Sequence, residues 1–177
     1  DALDWIRGRI SDLAAAHWKA VTSGGSTGRP KLIVDHAPAL YDEGLQAIST
    51  LIGMPRGGVM LNTGPLYHNA AFLFTSLALL AGTRVVGMNR FDPEEVLRLI
   101  ATERVEWMCL VPTMMHRIWS LPPEVKARYD LASLRKLVHV GAACAPWLKQ
   151  AWIDWLGPDC ILEVYAGTEG AAVIITG

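Results

Sequence analysis

The chain has 177 residues, 51% of them hydrophobic and 19% charged, with 16 basic side chains against 17 acidic ones. That length can bury one substantial core and points to one domain, and the near-neutral balance excludes a charge-driven nucleic-acid binder, which would carry a basic excess. The cysteines Cys109, Cys144 and Cys160 show no C-x-x-C spacing, which suits reduced thiols in a cytoplasmic protein rather than a disulfide framework.

In chain order, Leu3 to Ala15 has the spacing of a short amphipathic helix, and Lys19 to Ser23 reads as a strand that runs into a glycine-rich loop. Leu32-Ile33-Val34 is a second short β-branched strand, so the loop is expected to join two strands. Leu40 to Ile52 carries apolar residues at helical spacing, Pro55-Arg56-Gly57-Gly58 punctuates, and Val59 to Asn62 is strand-like. Ala70 to Leu80 reads as a buried helix. The apolar run that contains it, Ala70 to Gly82, is too short to span a membrane. Arg84 to Met88 is a strand. Asp92-Pro93-Glu94-Glu95 is a helix start, with a capping aspartate, proline at the first position and acids that suit the dipole; that helix is expected to run to about Thr102.

Val105 to Val111 is a buried-strand candidate and Thr113 to Ser120 a helix. Leu121-Pro122-Pro123 ends it, and a polar segment follows through Asp130. Leu137 to Val140 reads as a strand, Pro146 to Leu156 as a helix with one apolar stripe (Trp147, Leu148, Ala151, Trp152, Trp155, Leu156) and Ile161 to Val164 as a strand. The final run, Val173 to Gly177, is also strand-like. Repeated helix–strand alternation with short links predicts an α/β fold, a mostly parallel sheet flanked by helices.

Four stretches could carry chemistry. Ser23-Gly24-Gly25-Ser26-Thr27-Gly28-Arg29-Pro30-Lys31 combines glycines, which let backbone N–H groups fold around an anion, with hydroxyl donors and a terminal cation. These are parts of a phosphate cradle, although the same composition also makes an ordinary surface turn. It is not a Walker A loop, because Arg29 and Pro30 separate Gly28 from Lys31. Gly64 to Asn69 follows a strand, where α/β proteins place ligands; His68 could meet a carboxylate or be a surface histidine of a turn. Gly141-Ala142-Ala143-Cys144 would let a flat ligand approach the backbone or merely permit close packing. Tyr165-Ala166-Gly167-Thr168-Glu169 gathers a ring, a hydroxyl and a carboxylate that could serve a base, a phosphate and Mg²⁺, or it is a core tyrosine and a solvated turn. His17, His36, His116 and His139 show no metal-ligand spacing, and there is no G-x-S-x-G nucleophile elbow.

Taken jointly, these stretches resemble the adenylate-forming superfamily of acyl-CoA synthetases, peptide-synthetase adenylation domains and luciferases. Ser23 to Lys31 follows the family's hydroxyl- and glycine-rich phosphate loop, with Gly24 standing where a hydroxyl residue is usual, and His36 lies five residues after the lysine. Pro65-Leu66-Tyr67-His68 matches its Pro-x-Phe/Tyr-His segment. Tyr165 to Glu169 matches its Tyr-Gly-x-Thr-Glu, with Ala166 in place of glycine, and Gly141 to Cys144 loosely meets a third motif. The whole run looks most like bacterial bile-acid or long-chain acyl-CoA ligases.

The resemblance implies ATP, Mg²⁺ and coenzyme A, and a small-molecule carboxylic acid that is first adenylated and then transferred to the thiol. It implies that Ser23, Gly24, Gly25, Ser26, Thr27, Gly28 and Lys31 hold the β- and γ-phosphates. Thr168 would contact the α-phosphate, Glu169 would hold Mg²⁺ and Tyr165 would pack on adenine, beside Ala166 and Gly167. Gly141, Ala142 and Ala143 would line the adenine and acyl pocket, and His68 would lie near the acid. The family's ribose-binding aspartate, hinge and late catalytic lysine would fall beyond Gly177. The chain is therefore expected to be the central part of an N-terminal AMP-binding domain without the C-terminal lid. Adenylation of an amino or aryl acid for a carrier protein, and a non-catalytic nucleotide-binding module, are the competing expectations. Self-association stays open as a partner.

Overall fold

A computed structural model describes residues 17–22, 31–37, 43–167 and 170–176. The helix expected over Leu3 to Ala15, the loop residues Ser23 to Pro30, and Thr168 and Glu169 lie outside the described residues.

The elements in chain order are β1 (Ala20–Thr22), β2 (Leu32–Val34), α1 (Glu43–Leu51), β3 (Val59–Asn62), α2 (Asn69–Leu80), β4 (Arg84–Gly87), α3 (Pro93–Glu103) and β5 (Trp107–Leu110). They continue with α4 (Pro112–Trp119), α5 (Pro123–Lys126), β6 (Lys136–Val140), α6 (Pro146–Leu156), a 3₁₀ turn (Pro158–Cys160), β7 (Ile161–Gly167) and β8 (Gly170–Thr176). β1 and β2 pair antiparallel as a separate hairpin, so the glycine-rich stretch does connect two strands. The other six strands form one sheet in the order β4-β3-β5-β6-β7-β8. The first five are parallel, and β8 runs antiparallel to β7. The expected α/β fold with a mostly parallel sheet is what forms.

Strand order reverses at β3, because β4 lies on one side of it and β5 on the other. Such a switch point opens a crevice at the carboxyl ends of the strands, where ligands of open α/β sheets bind.

The alternation of side chains across the pleat builds two cores. On one face Leu61, Met108, Leu110, Leu137 and Ile161 pack against Val96 and Ile100 of α3, Met115 and Ile118 of α4, and Leu148 and Trp152 of α6. On the other, Met60, Trp107, Val138, Val140, Leu162 and Val164 meet Phe74, Leu77 and Ala78 of α2 and Ile52 after α1. Trp107 Nε1 donates to the Ile52 carbonyl at 2.9 Å and so ties β5 to the end of α1.

Local signals set the boundaries. The Asp92 carboxylate accepts from the Glu95 N–H at 2.9 Å, with Pro93 in the first turn, as its cap chemistry requires. Four readings need correction. Tyr165, Ala166 and Gly167 do not follow the strand; they are its last residues, paired with Val173, Ala172 and Gly170 of β8. The helix over Ala70 to Leu80 is only half buried: Phe74, Leu77 and Ala78 are covered while Leu79 and Leu80 face outward. Of the stripe on α6, Leu148 and Trp152 are buried but Trp147 is exposed, edge-on to His116. The polar segment before Asp130 contains α5, started by Pro123.

Candidate active site

A cavity of about 710 Å³ lies at the switch point, between α1 and α2 and the carboxyl ends of β3, β5, β6 and β7. Its body is apolar: Met60, Leu73, Phe74 and Met114 are on its wall with Ile48 and Leu51. Its mouth is polar, formed by Asn62, His68 and Asn69, with Thr63 buried beside it. Among the described residues the wall holds no aspartate, glutamate, lysine or arginine.

The polar groups at the mouth are placed by local geometry. Thr63 closes β3, and its hydroxyl donates to the Cys109 carbonyl at 2.9 Å on the neighbouring strand. Asn62 Oδ1 accepts the Gly64 N–H at 3.3 Å, which shapes the turn toward His68. His68 has extended backbone and stands just before the first residue of α2, exposed at the rim. Cys109 also lines the cavity; burial pushes its thiol up to about 12, so it stays protonated. Gly141 follows β6 with φ +89°, a conformation that other residues rarely adopt, and it brings bare backbone to the cavity.

The cavity thus collects His68, Gly141, Ala166 and Gly167 from three separate stretches of the sequence. Ala142 and Ala143 are exposed beside Gly141 but are not on its wall, and Tyr165 points outward at 76% exposure one residue before Ala166. Lys31 is exposed and directly precedes β2. Ser23 to Gly28, Thr168 and Glu169 lie outside the described residues. Asn62, Thr63 and the apolar wall lie outside the stretches that the sequence marks for chemistry, and Asn69 is marked only as the end of Gly64 to Asn69. A polar pair at a strand end and an asparagine next to His68 are the signals that could have found them.

Behind the cavity, on the opposite face of the sheet, His139 is fully buried. It pairs in register with Glu163, and its Nε2 lies 3.9 Å from Glu163 Oε2. Glu163 accepts from Lys149 Nζ of α6 at 2.9 Å. Burial, opposed by the Glu163 charge, holds His139 below the usual histidine range and so neutral at pH 7.

The AMP-binding enzyme family matches residues 21–177. The pyochelin synthase PchD of Pseudomonas aeruginosa is 38% identical over 146 residues, covering 81% of this chain and 25% of that protein. The medium/long-chain-fatty-acid–CoA ligase FadD8 of Mycobacterium tuberculosis is 31% identical over 161 residues, covering 87% of this chain and 26% of its own length. Among solved structures, the N-terminal domain of FACL13 from M. tuberculosis superposes with a TM-score of 0.71 at 21% identity, covering 89% of this chain and 39% of that one. ATP-bound MatB from Rhodopseudomonas palustris gives 0.72 at 21% identity, with 89% and 30% covered.

The chain belongs to the AMP-binding, adenylate-forming enzymes, and its fold is that of their N-terminal domain. It spans about a quarter of the length of the curated relatives it matches. Among the described residues, no helix is long and apolar enough to cross a membrane.

Proposed function

We propose that the protein is an AMP-forming acid–thiol ligase that joins a hydrophobic carboxylic acid to coenzyme A. The observation that carries this is the cavity: an apolar body, without an aspartate, glutamate, lysine or arginine among the described residues, that opens through a polar mouth at the strand ends. An acid buries its apolar part in such a body, while its carboxylate stays at the mouth, because burying a charge without a partner is costly.

In the first step a carboxylate oxygen bonds to the α-phosphorus of ATP and the bond to pyrophosphate breaks. In the second, the coenzyme A sulfur bonds to the acyl carbon and AMP leaves. The loop's N–H groups, the hydroxyls of Ser23, Ser26 and Thr27, and Lys31 hold the departing pyrophosphate, where preorganised donors act most strongly. Thr168 donates to the α-phosphate, and the exposed ring of Tyr165 offers a face to adenine, beside the backbone of Gly141 to Ala143. His68 hydrogen-bonds the acid at the cavity mouth.

Mg²⁺ suits this donor set. Among the described residues no group of three or more His, Cys, Asp or Glu forms a metal cage, and Mg²⁺ is ordinarily held by one or two carboxylates plus substrate phosphates. Glu169 supplies that carboxylate, and the ion, when bound, neutralises phosphate charge.

The test is carboxylate-dependent ATP–pyrophosphate exchange by the full-length gene product. Neutral apolar monocarboxylic acids are expected to support exchange, with dicarboxylic and amino acids about 100-fold poorer, because among the described residues no counter-charge lines the cavity. Lys31→Ala and Glu169→Ala should each lower exchange about 100-fold without shifting the melting temperature. If no acid in a broad panel supports exchange, the ligase reading is overturned; near-normal exchange in both variants overturns the site. A second reading, adenylation of an amino or aryl acid for a carrier protein, draws on the relative named as a pyochelin synthase. Acyl transfer to a carrier-protein thiol but not to coenzyme A would decide for it.

A further inference from the structure

The hairpin that bears the glycine-rich loop has strands of three residues each and is not hydrogen-bonded into the six-stranded sheet. A two-stranded hairpin of that size is marginal on its own, so its placement depends on what anchors it to the body.

Lys19 stands directly before β1, with its side chain only 11% exposed. Its Nζ donates to Asn69 Oδ1 at 3.0 Å, across fifty positions of sequence, and lies 3.7 Å from Asp35 Oδ2 and 4.6 Å over the Trp18 ring. Asp35, just after β2, donates its N–H to the Lys19 carbonyl at 3.0 Å. Its carboxylate accepts from the Ala37 N–H at 3.0 Å and from Trp18 Nε1 at 2.8 Å, and these bonds hold it below the usual carboxylate range. Trp18 also packs 5.7 Å from Phe72 in the first turn of α2.

The lysine therefore has one end in the base of the hairpin and the other on Asn69, which lines the cavity mouth beside His68. The three strand residues Ala20–Thr22 follow Lys19, and the glycine-rich stretch begins at the next position of the sequence. Among the described residues, no aspartate, glutamate, lysine or arginine on the cavity wall shares this task.

We propose that Lys19 is a positioning residue for both substrates. Through Asp35 it holds the base of the hairpin whose two strands flank the glycine-rich stretch in the sequence, and through Asn69 it holds the mouth of the acid cavity, so that nucleotide and acid sites keep one relative placement. This rests on reading the loop as the ATP cradle and the cavity as the acid site. Without the ammonium group, Asn69 Oδ1 and the Asp35 carboxylate lose a charged partner, a loss expected to weaken placement by about tenfold in affinity.

The experiment uses the full chain with Lys19→Met, which keeps the apolar stem, Asn69→Ala, the double variant and Lys19→Arg. The readouts are ATP affinity by direct titration without acid, KM for ATP and for acid and kcat in pyrophosphate exchange, and the melting temperature. Lys19→Met and Asn69→Ala are each expected to weaken ATP binding and raise both KM values about tenfold, with kcat within about threefold. The double variant should be no worse than either single one, and Lys19→Arg should recover most of the loss. Wild-type ATP affinity and KM values in both single variants overturn the proposal. So does a rise in one KM alone, a change confined to kcat with a lower melting temperature, or loss of the fold in both. If no acid in a broad panel supports exchange by the unmodified protein, the ligase reading fails, and the ATP titration still decides for or against Lys19.

Discussion

The two faces of the central sheet are built from the same strands and serve different ends. On the face covered by α3, α4 and α6, Ile100, Met115, Ile118 and Leu137 are fully buried, and Trp152 is 1% exposed. On the face covered by α1 and α2, the helices stand off the carboxyl ends of the strands and leave the 710 Å³ cavity. There Leu73 and Ala70 are only partly covered, and Ile48 and Leu51 are exposed. Close packing supplies stability on one face; on the other, some of it is given up for a space that a ligand can fill.

This contrast predicts opposite responses to substitution. The largest effect is expected on the packed face: Trp152→Ala leaves a void in the buried cluster of that face and should cost about 3–5 kcal/mol of stability, read as a shift in denaturant midpoint. A loss below about 1 kcal/mol would mean that the packed face is looser than its burial indicates.

On the hollow face, Leu73→Trp adds volume where there is room. It should leave stability within about 1 kcal/mol and lower kcat/KM for long acids about tenfold relative to short ones. An unchanged chain-length preference would remove the cavity from the acid site.

The smallest effect belongs to the one buried histidine of the packed face. His139 is held below its unfolded pKa, so the unfolded chain binds a proton that the native chain does not as pH falls below about 6.5. Stability contributed by neutral His139 is complete above that pH. It should decline toward acid by at most about 1.4 kcal/mol per pH unit, until the native histidine itself titrates. His139→Gln should flatten that slope below about pH 6.5, measured as unfolding free energy against pH. An identical slope in the variant would assign the acid sensitivity to other groups.

Local chemistry made much of this architecture readable. Asp92 and Pro93 start α3 because the cap bond spans only three residues, and Pro146 to Leu156 forms a helix over the range that its spacing predicts. Each strand of the parallel sheet was visible as a short apolar run between turn residues. What composition could not show was the partner of each run. Leu79 and Leu80 continue an apolar helix yet face outward, and Trp147 leaves its stripe, because burial depends on which surface arrives opposite. Tyr165 to Gly167 contain a glycine and precede a threonine and a glutamate, so they resembled a turn. Pairing with β8 extends the strand through them.

By itself, then, the sequence determined the α/β class, the strand–loop–strand setting of the glycine-rich stretch and the family to which the chain belongs. Each of these is written in residues close together or in short motifs repeated in a given order. Only the tertiary structure decided that strand order reverses at β3, and that His68, Gly141, Ala166 and Gly167 share one cavity. It alone set Lys19 against Asn69. Those facts rest on contacts between residues tens to a hundred positions apart, and such contacts are chosen by how two-faced strands and one-sided helices bury their apolar surfaces together.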